Sequence, residues 1–409
     1  MVSLTHVSAY LLRHRHDVTY FPQMQTGLQA RLQNTHLKYS APAGTNVTVL
    51  SHSLRLRPLS ALAQGDRRTK PNIDWDSLGF GLKDVAGSMY TATWTEEKGW
   101  DAGSLQPYGP IPMMPSAQVL NYGQAIFEGM KAQYTVDGRI VIFRPDKNAE
   151  RFAAGAQRLS MPVVPEAQFV NAVKSVVASN ADWVPPQGKG SMYLRPVLMG
   201  SGPILGLGPA PSYTFLIYAA AVGSYFKGGQ LTPIDLIVEE HFHRAAPGGM
   251  GGTKAAGNYS PVLVTQLNAK KNGYSDVVYL DAKSDTYLEE VSSCNIFIVK
   301  GKTIKTPPLQ GTILPGVTRR SIIELARLRG YTVEEVPVPV TEAMEADEVF
   351  TTGTAVVVSS VGSLTYQGNK KQYTQNGQPG NVSLEMYTAL TDIQTGKAAD
   401  PADWVVKVL

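Results

Sequence analysis

Cysteine is almost missing from this chain: Cys294 is the only one in 409 residues. That excludes an intramolecular disulfide and every multi-cysteine zinc pattern, whatever the compartment. Histidine is nearly as scarce, since five of the seven (His6, His14, His16, His36, His52) precede residue 53 and only His241 and His243 follow. A metal site built on imidazoles, or a Cys–His pair, has almost no raw material, and no metal is expected. No uninterrupted apolar run approaches the roughly 20 residues that span a bilayer, so no membrane partner is expected either. Acids are missing from the beginning of the chain. Residues 1–65 hold six basic residues (Arg13, Arg15, Arg31, Lys38, Arg55, Arg57) against one acid (Asp17), a net +5, and because the whole chain is +4 the remainder nets −1. The pI near 8.9 is therefore a property of the leader. It does not point to nucleic acid as a partner.

An Arg-bearing, Ser/Thr-sprinkled leader without a long apolar core fits an organellar transit peptide better than a secretory signal. Cleavage within 57–64 suits the charge break. Beyond it, the 43% hydrophobic and 17% charged composition can build a large core, and the length favours two folded domains.

Strand-like and helix-like patterns then alternate without an internal repeat. The spacing predicts a hairpin over 118–144 that turns at Val136-Asp137-Gly138, a helix opening at Pro145-Asp146, and another over 165–179. Strands are predicted at 191–199 and 213–221, the second a nearly continuous apolar run suited to a buried sheet. In the second half the pattern gives strands at 236–240, 277–281 and 295–299 and a helix over 261–271. A helix entrance at Leu314-Pro315-Gly316-Val317-Thr318 leads to Gly330 as its stop, and strands at 348–352 and 355–359 flank Gly353-Thr354. The expected class is mixed α/β (α+β). Its expected parts are a leader at 1–65, a small N-terminal domain at 66–222, a connection at 223–229 and a large C-terminal domain at 230–409, with a cleft between the two domains.

The segment from Pro247 to Tyr259 (PGGMGGTKAAGNY) places Lys254 among small residues, with five glycines between Gly248 and Gly257. Something bulky can approach that backbone and that amine. A nucleotide phosphate loop needs Gly-Lys-Ser/Thr, whereas Lys254 stands between Thr253 and Ala255, so a nucleoside triphosphate is excluded. A lysine that carries a cofactor as a Schiff base needs an anchor for the cofactor phosphate, a hydrogen bond at its ring hydroxyl and a carboxylate at its ring nitrogen. Tyr259 suits the hydroxyl, and either Glu289 or Glu290 suits the nitrogen. The turns Gly316-Val317-Thr318 and Gly353-Thr354, with Arg151, suit the phosphate.

These residues sit in six blocks: Tyr122-Gly-Gln-Ala-Ile-Phe127-Glu-Gly129, Tyr193-Leu-Arg195-Pro196, Gly252-Thr-Lys254-Ala-Ala-Gly-Asn-Tyr259, Glu290-Val-Ser-Ser293-Cys-Asn-Ile-Phe297, Leu314-Pro-Gly-Val317-Thr318-Arg319 and Thr352-Gly353-Thr354-Ala355. In this order they resemble the branched-chain amino acid aminotransferases of the fold-type-IV pyridoxal-phosphate enzymes, nearest the plant-like members, from about Trp75 to the C-terminus. The resemblance implies the two-domain fold of that class, with its active site in the interdomain cleft. It implies pyridoxal 5'-phosphate on Lys254, with Tyr259 at its ring oxygen, Glu290 at its pyridine nitrogen, and Arg151, Val317, Thr318, Gly353 and Thr354 around its phosphate. Phe127, Tyr193, Tyr225, Ser293 and Ala355 are implied in the substrate pocket. Arg195 is implied as the receiver of the second carboxylate of glutamate, and Tyr122 as a residue contributed across a homodimer.

The implied activity is reversible amino transfer between leucine, isoleucine or valine and 2-oxoglutarate, with small amino and 2-oxo acids as partners. The implied address is the plastid, with the mitochondrion as alternative. One departure is visible: some animal members carry a Cys-x-x-Cys redox pair where this chain has Val356 and Ser359, so no thiol switch is expected there. A D-amino acid aminotransferase or an aminodeoxychorismate lyase shares the fold, but the paired Tyr193 and Arg195 and the run from Glu290 to Asn295 favour the branched-chain type. A catalytically silent scaffold is disfavoured by the intact Lys254, Tyr259 and Glu290.

Overall fold

Eleven residues, Ser212–Val222 (SYTFLIYAAAV), are buried almost throughout and occupy the middle of a ten-stranded sheet in a computed structural model that describes residues 72–223 and 231–409. Ser191–Gly200 pairs antiparallel on one side and Ser88–Thr95 on the other. Beyond Ser191–Gly200 come Met130–Tyr134 and Ile140–Phe143, joined through the expected turn at Gly138. A run this apolar is stable only when both faces are covered. Helices Pro145–Arg158 and Glu166–Ser179 supply a cover, packing Phe152 and Phe169 on Phe215 with ring centroids 5.6 and 5.8 Å away. Each such buried ring contributes about 1.5–3 kcal/mol over an exposed one.

The second sheet has nine strands and mixed direction. Ile234–Val238 runs parallel to both Asp276–Leu280 and Val357–Tyr366, while Asn295–Lys300 runs antiparallel to Glu348–Gly353. Phe297 and Phe350 stack at 4.8 Å beneath helices Val317–Leu328 and Asn381–Gln394, in a core that also takes in Trp404. The chain then returns: Val405–Lys407 pairs with Ile140–Phe143 and completes an edge of the first sheet. The backbone N–H of Arg144 donates to Trp404 O (2.7 Å), its guanidinium lies 4.8 Å over the Trp404 ring, and it bonds Ser321 and Glu324 on the Val317–Leu328 helix. The described residues fall within one compact unit built on these two sheets.

Two expected elements are corrected. Residues Gln118–Tyr122 are a five-residue helix, not the first strand of a hairpin; Gly123 ends it in the left-handed region at φ 69°, and the chain becomes extended only at Ala125–Phe127. The strand expected from 355 begins at Val357, because Thr354 to Val356 form a turn that leaves Val357 at φ 62°. For a β-branched residue this is a strained conformation, the kind that concentrates at functional sites. The helices Val340–Glu345 and Asn381–Gln394 and the terminal strand were not legible in the pattern. The leader, Tyr225 and all of the expected connection except Gly223 lie outside the described residues.

Candidate active site

Lys254 is held from both sides. The carbonyl of Gly311 accepts from Gly252 N (2.8 Å), and a Cβ on Gly251 would come within 2.2 Å of Thr312 O, so only glycine lets the two loops approach. Asn258 Nδ2 donates to Met250 O and Thr253 O (2.8 and 2.9 Å), and Lys254 O accepts from Phe127 N of the first sheet (3.1 Å). The amine itself donates to Tyr259 Oη at 3.0 Å and lies 4.6 Å over the ring of Phe127. Burial, and secondarily the charge of Arg151, pull the Lys254 ammonium down to about 8. Burial pushes the Tyr259 phenol up to about 12, so it remains a donor at neutral pH. A second lysine sits in comparable surroundings: Lys131, on Met130–Tyr134, donates to Ala355 O at 2.7 Å and is likewise lowered to about 8 by burial.

The two glutamates have different surroundings because side chains alternate in direction along the strand Leu288–Val291. Glu289 accepts from Thr312 Oγ1 (2.7 Å). Glu290, only 1% exposed, receives Leu314 N (2.5 Å) and Arg244 (3.0 Å) at Oε1, while Oε2 has just a long 3.4 Å contact from Asn295 Nδ2. That oxygen keeps capacity for one more donor. Burial raises Glu290 to about 7 despite the opposing charge of Arg244. Its folded-state pKa therefore lies above that of the unfolded chain, which releases the proton first as pH rises, so ionising this carboxyl costs the cofactor-free protein stability between about pH 4.5 and pH 7. Urea unfolding of cofactor-free protein should show the advantage of the parent chain over Glu290→Gln shrinking from pH 5 to pH 7.5. A constant difference would mean that Glu290 is ionised throughout that window.

Arg151 is not on a solvated helix face. Its Nε and Nη2 make paired 2.7 Å bonds to Glu128, which is 0% exposed and also receives Asn148 Nδ2, while Nη1 donates to Pro315 O (3.0 Å). Pro315 directly precedes the start of helix Val317–Leu328, whose Gly316 N-cap has no side-chain capping bond. The first N–H groups of that 12-residue helix thus lack intrahelical partners and carry the positive end of its dipole. The Gly353-Thr354 turn comes up to the same region: Thr354 Oγ1 bonds Gly129 O (3.3 Å), and a Cβ on Gly353 would press within 3.1 Å of Cys294 Sγ, beside the exposed Ser293. A guanidinium, uncapped helix N–H groups and a hydroxyl form a donor set for a dianionic phosphate. With the amine, the phenol and the spare lone pair of Glu290, the residues present fit the cofactor that the resemblance implies.

One wall of the site is aromatic and cationic together. Tyr193 and Arg195 leave the same face of Ser191–Gly200, with Arg195 Nη2 3.4 Å from Tyr193 Oη and its guanidinium 4.8 Å over Phe127. Gly129 makes room for this wall, since a Cβ there would lie 2.1 Å from Tyr193 Oη. Among the described residues the Nε of Arg195 is buried without a partner. Tyr122 is not brought to this wall by its own chain: it is 46% exposed and donates to Leu205 O (2.7 Å).

Sequence reasoning missed Glu128 and Arg244. A glutamate inside the apolar stretch from Ile126 to Met130 was a signal that a cation awaited it, while Arg244 gave none, ten residues before Lys254 in a loop.

A model of the amino-transferase class IV family matches residues 125–364. A chloroplastic branched-chain amino acid aminotransferase 2 of Humulus lupulus is 49% identical over 405 residues, covering 98% of this chain and 97% of its own. Among solved structures, the Escherichia coli branched-chain amino acid aminotransferase superposes with a TM-score of 0.69 at 27% identity, covering 79% of this chain and all of that one. The branched-chain aminotransferase of the thermophilic archaeon Thermoproteus uzoniensis, solved with norvaline, gives 0.67 at 25% identity over 79% of this chain and all of that one. With a matching family model, a relative of nearly equal length and the same fold around a lysine, a phenol and a buried carboxylate, the chain belongs to the class IV aminotransferases, pyridoxal-phosphate-dependent transferases, and within them to the branched-chain amino acid aminotransferases.

Proposed function

We propose that this site exchanges the amino group of leucine, isoleucine or valine with 2-oxoglutarate, yielding a branched 2-oxo acid and glutamate. The observation that carries the reading is the wall of Phe127, Tyr193 and Arg195, in which aromatic faces and a guanidinium lie together. A branched side chain packs on the rings. The second carboxylate of glutamate, whose unpaired burial would cost several kcal/mol, meets the cation.

Pyridoxal phosphate, when bound, supplies an aldehyde carbon and an electron-withdrawing ring. Lys254 would hold it covalently, and its free amine would take and return the proton at substrate Cα; an amine lowered to about 8 is suited to both tasks. Tyr259 holds Lys254 Nζ in place and would offer its O–H to the ring oxygen. Glu290 would accept a hydrogen bond from the ring N–H, with Arg244 supporting its ionised form. Arg151, the N–H groups of Val317 and Thr318, and the Gly353-Thr354 turn would hold the phosphate. Ser293 and Ala355 border the substrate beside that turn. A panel of amino donors assayed with 2-oxoglutarate on the purified protein tests the reading, which fails if no branched donor exceeds alanine, aspartate or aromatic donors.

Every strand of the first sheet except Val405–Lys407 precedes residue 223 and every strand of the second follows it, which supports the reading of two domains, 66–222 and 230–409, with the site between them. A homodimer accounts for the outward Tyr122 and for the apolar surface of Met114, Leu120, Leu205 and Leu207, each more than 60% exposed. Tyr225 belongs to the substrate pocket on the family match.

The charge break after residue 65 supports an organellar address for the leader, the plastid with the mitochondrion as alternative. Protein starting at Asp66 is expected to fold and to match the full chain in kcat and KM, while the full chain fused to a fluorescent protein enters plastids and the truncated fusion stays in the cytosol. An inactive truncation would overturn that assignment, and a full-length fusion that accumulates in mitochondria would select the alternative.

A further inference from the structure

A cavity of about 530 Å³, a size that accommodates a small organic ligand, has Lys254, Arg151 and Val317 in its wall. None of Phe127, Tyr193, Arg195, Ser293 or Ala355 borders it. It therefore meets the proposed site at Lys254 and at the Arg151 and Val317 side of the phosphate cup, while Tyr259, Glu290, Thr318, Gly353 and Thr354 lie beyond its lining, as does the substrate wall. Going outward, the wall is made by Arg319 and then by Lys147, Arg320 and Arg327, against Glu150, Glu324 and Glu335. With Arg151 offset by Glu128, five cations face three carboxylates, which leaves a net positive funnel.

The outer residues are accessible and the inner ones are not. Arg320 and Arg327 have side chains 51% and 52% exposed and Glu150 is 63% exposed, whereas Arg319 is 3% exposed and keeps a buried Nε without a hydrogen-bond partner. The rim cations are engaged in surface ion pairs, Arg320 with Glu324 at 3.1 Å and Glu150 at 3.9 Å, Arg327 with Glu335 at 3.5 Å, and Lys147 with Glu150 and Asp146 at 3.1 and 3.3 Å. Such pairs are weak and exchange readily with a passing anion.

Resting on the proposed function, we infer that this basic cavity is the port through which the phosphorylated cofactor enters and leaves, separate from the face used by amino acids. An anionic pyridine phosphate drawn inward by Arg320, Arg327 and Lys147 passes Arg319 and delivers its phosphate to Arg151 and the helix start, with its aldehyde toward Lys254. Positive charge lining a low-dielectric mouth raises the rate of anion capture, and the effect fades as salt screens it.

The test follows pyridoxal phosphate binding to the cofactor-stripped, full-length protein by stopped-flow tryptophan fluorescence. Arg320→Gln with Arg327→Gln should slow association about five- to tenfold, and Glu150→Lys, a single exposed change, should accelerate it severalfold. Both differences should shrink as salt rises from 20 to 300 mM, and kcat and KM for leucine should not move in the fully loaded enzyme. Association rates indifferent to rim charge would overturn the port, as would a change in leucine KM that parallels them. If the stripped protein takes up no pyridoxal phosphate at any rim charge, the proposed function falls too; normal uptake at an unchanged rate overturns the port alone.

Discussion

Lys254→Ala is expected to abolish transamination, lowering turnover by about 10⁴-fold or more, since on the proposed function one side chain supplies both the covalent attachment and the proton carrier. The near-visible absorbance of lysine-bound cofactor should vanish with it. The geometry also names the control. Lys131 is lowered to about 8 by burial just as Lys254 is, so an amine of similar basicity stands nearby. It differs in its partner: Lys131 is spent on Ala355 O, whereas Lys254 lies against the phenol of Tyr259 and the face of Phe127. Lys131→Met should therefore keep the absorbance band. A Lys254→Ala protein that retains both band and turnover would transfer the attachment to Lys131.

Arg195→Gln is expected to separate the two substrates. The half-reaction with glutamate should fall roughly ten- to a thousandfold, for about 1.5–4 kcal/mol of lost charge-assisted bonding, while the half-reaction with leucine changes little. Within this chain Arg195 has no strong partner: its contact with Tyr193 is 3.4 Å long and its Nε is unpaired among the described residues. An arginine kept for structure alone would be expected to sit in a bidentate pair, as Arg151 does with Glu128. Single-turnover measurements through the cofactor spectrum, with leucine and glutamate separately, decide the matter. Equal losses for both would make Arg195 a support of the fold.

Local chemistry was legible where local rules decide it. The proline before Asp146, the Val136-Asp137-Gly138 turn and the apolar run at 213–221 each announced their element, and the strand spacing put Tyr193 and Arg195 on one face before any geometry was known. Partnerships between distant residues were not legible. That Arg151 is buried against Glu128, that Glu290 rather than Glu289 turns inward, and that Arg244 is its counter-ion follow from how two sheets and a glycine loop meet. Periodicity misled at Gln118–Tyr122, because a five-residue helix ended by Gly123 buries too little to show a helical repeat.

The strand Val405–Lys407 binds the end of the chain to a sheet whose other strands are all made before residue 223. During synthesis the outer edge of Ile140–Phe143 therefore waits open until Val405–Lys407 leave the ribosome, and the buried guanidinium of Arg144 waits with it for Trp404. An open edge of this kind is a template for wrong pairing. An unfinished sheet is more easily held unfolded by chaperones than a closed one. Val405–Lys407 thus act as a latch on the first sheet, set only after the second sheet's residues have been made.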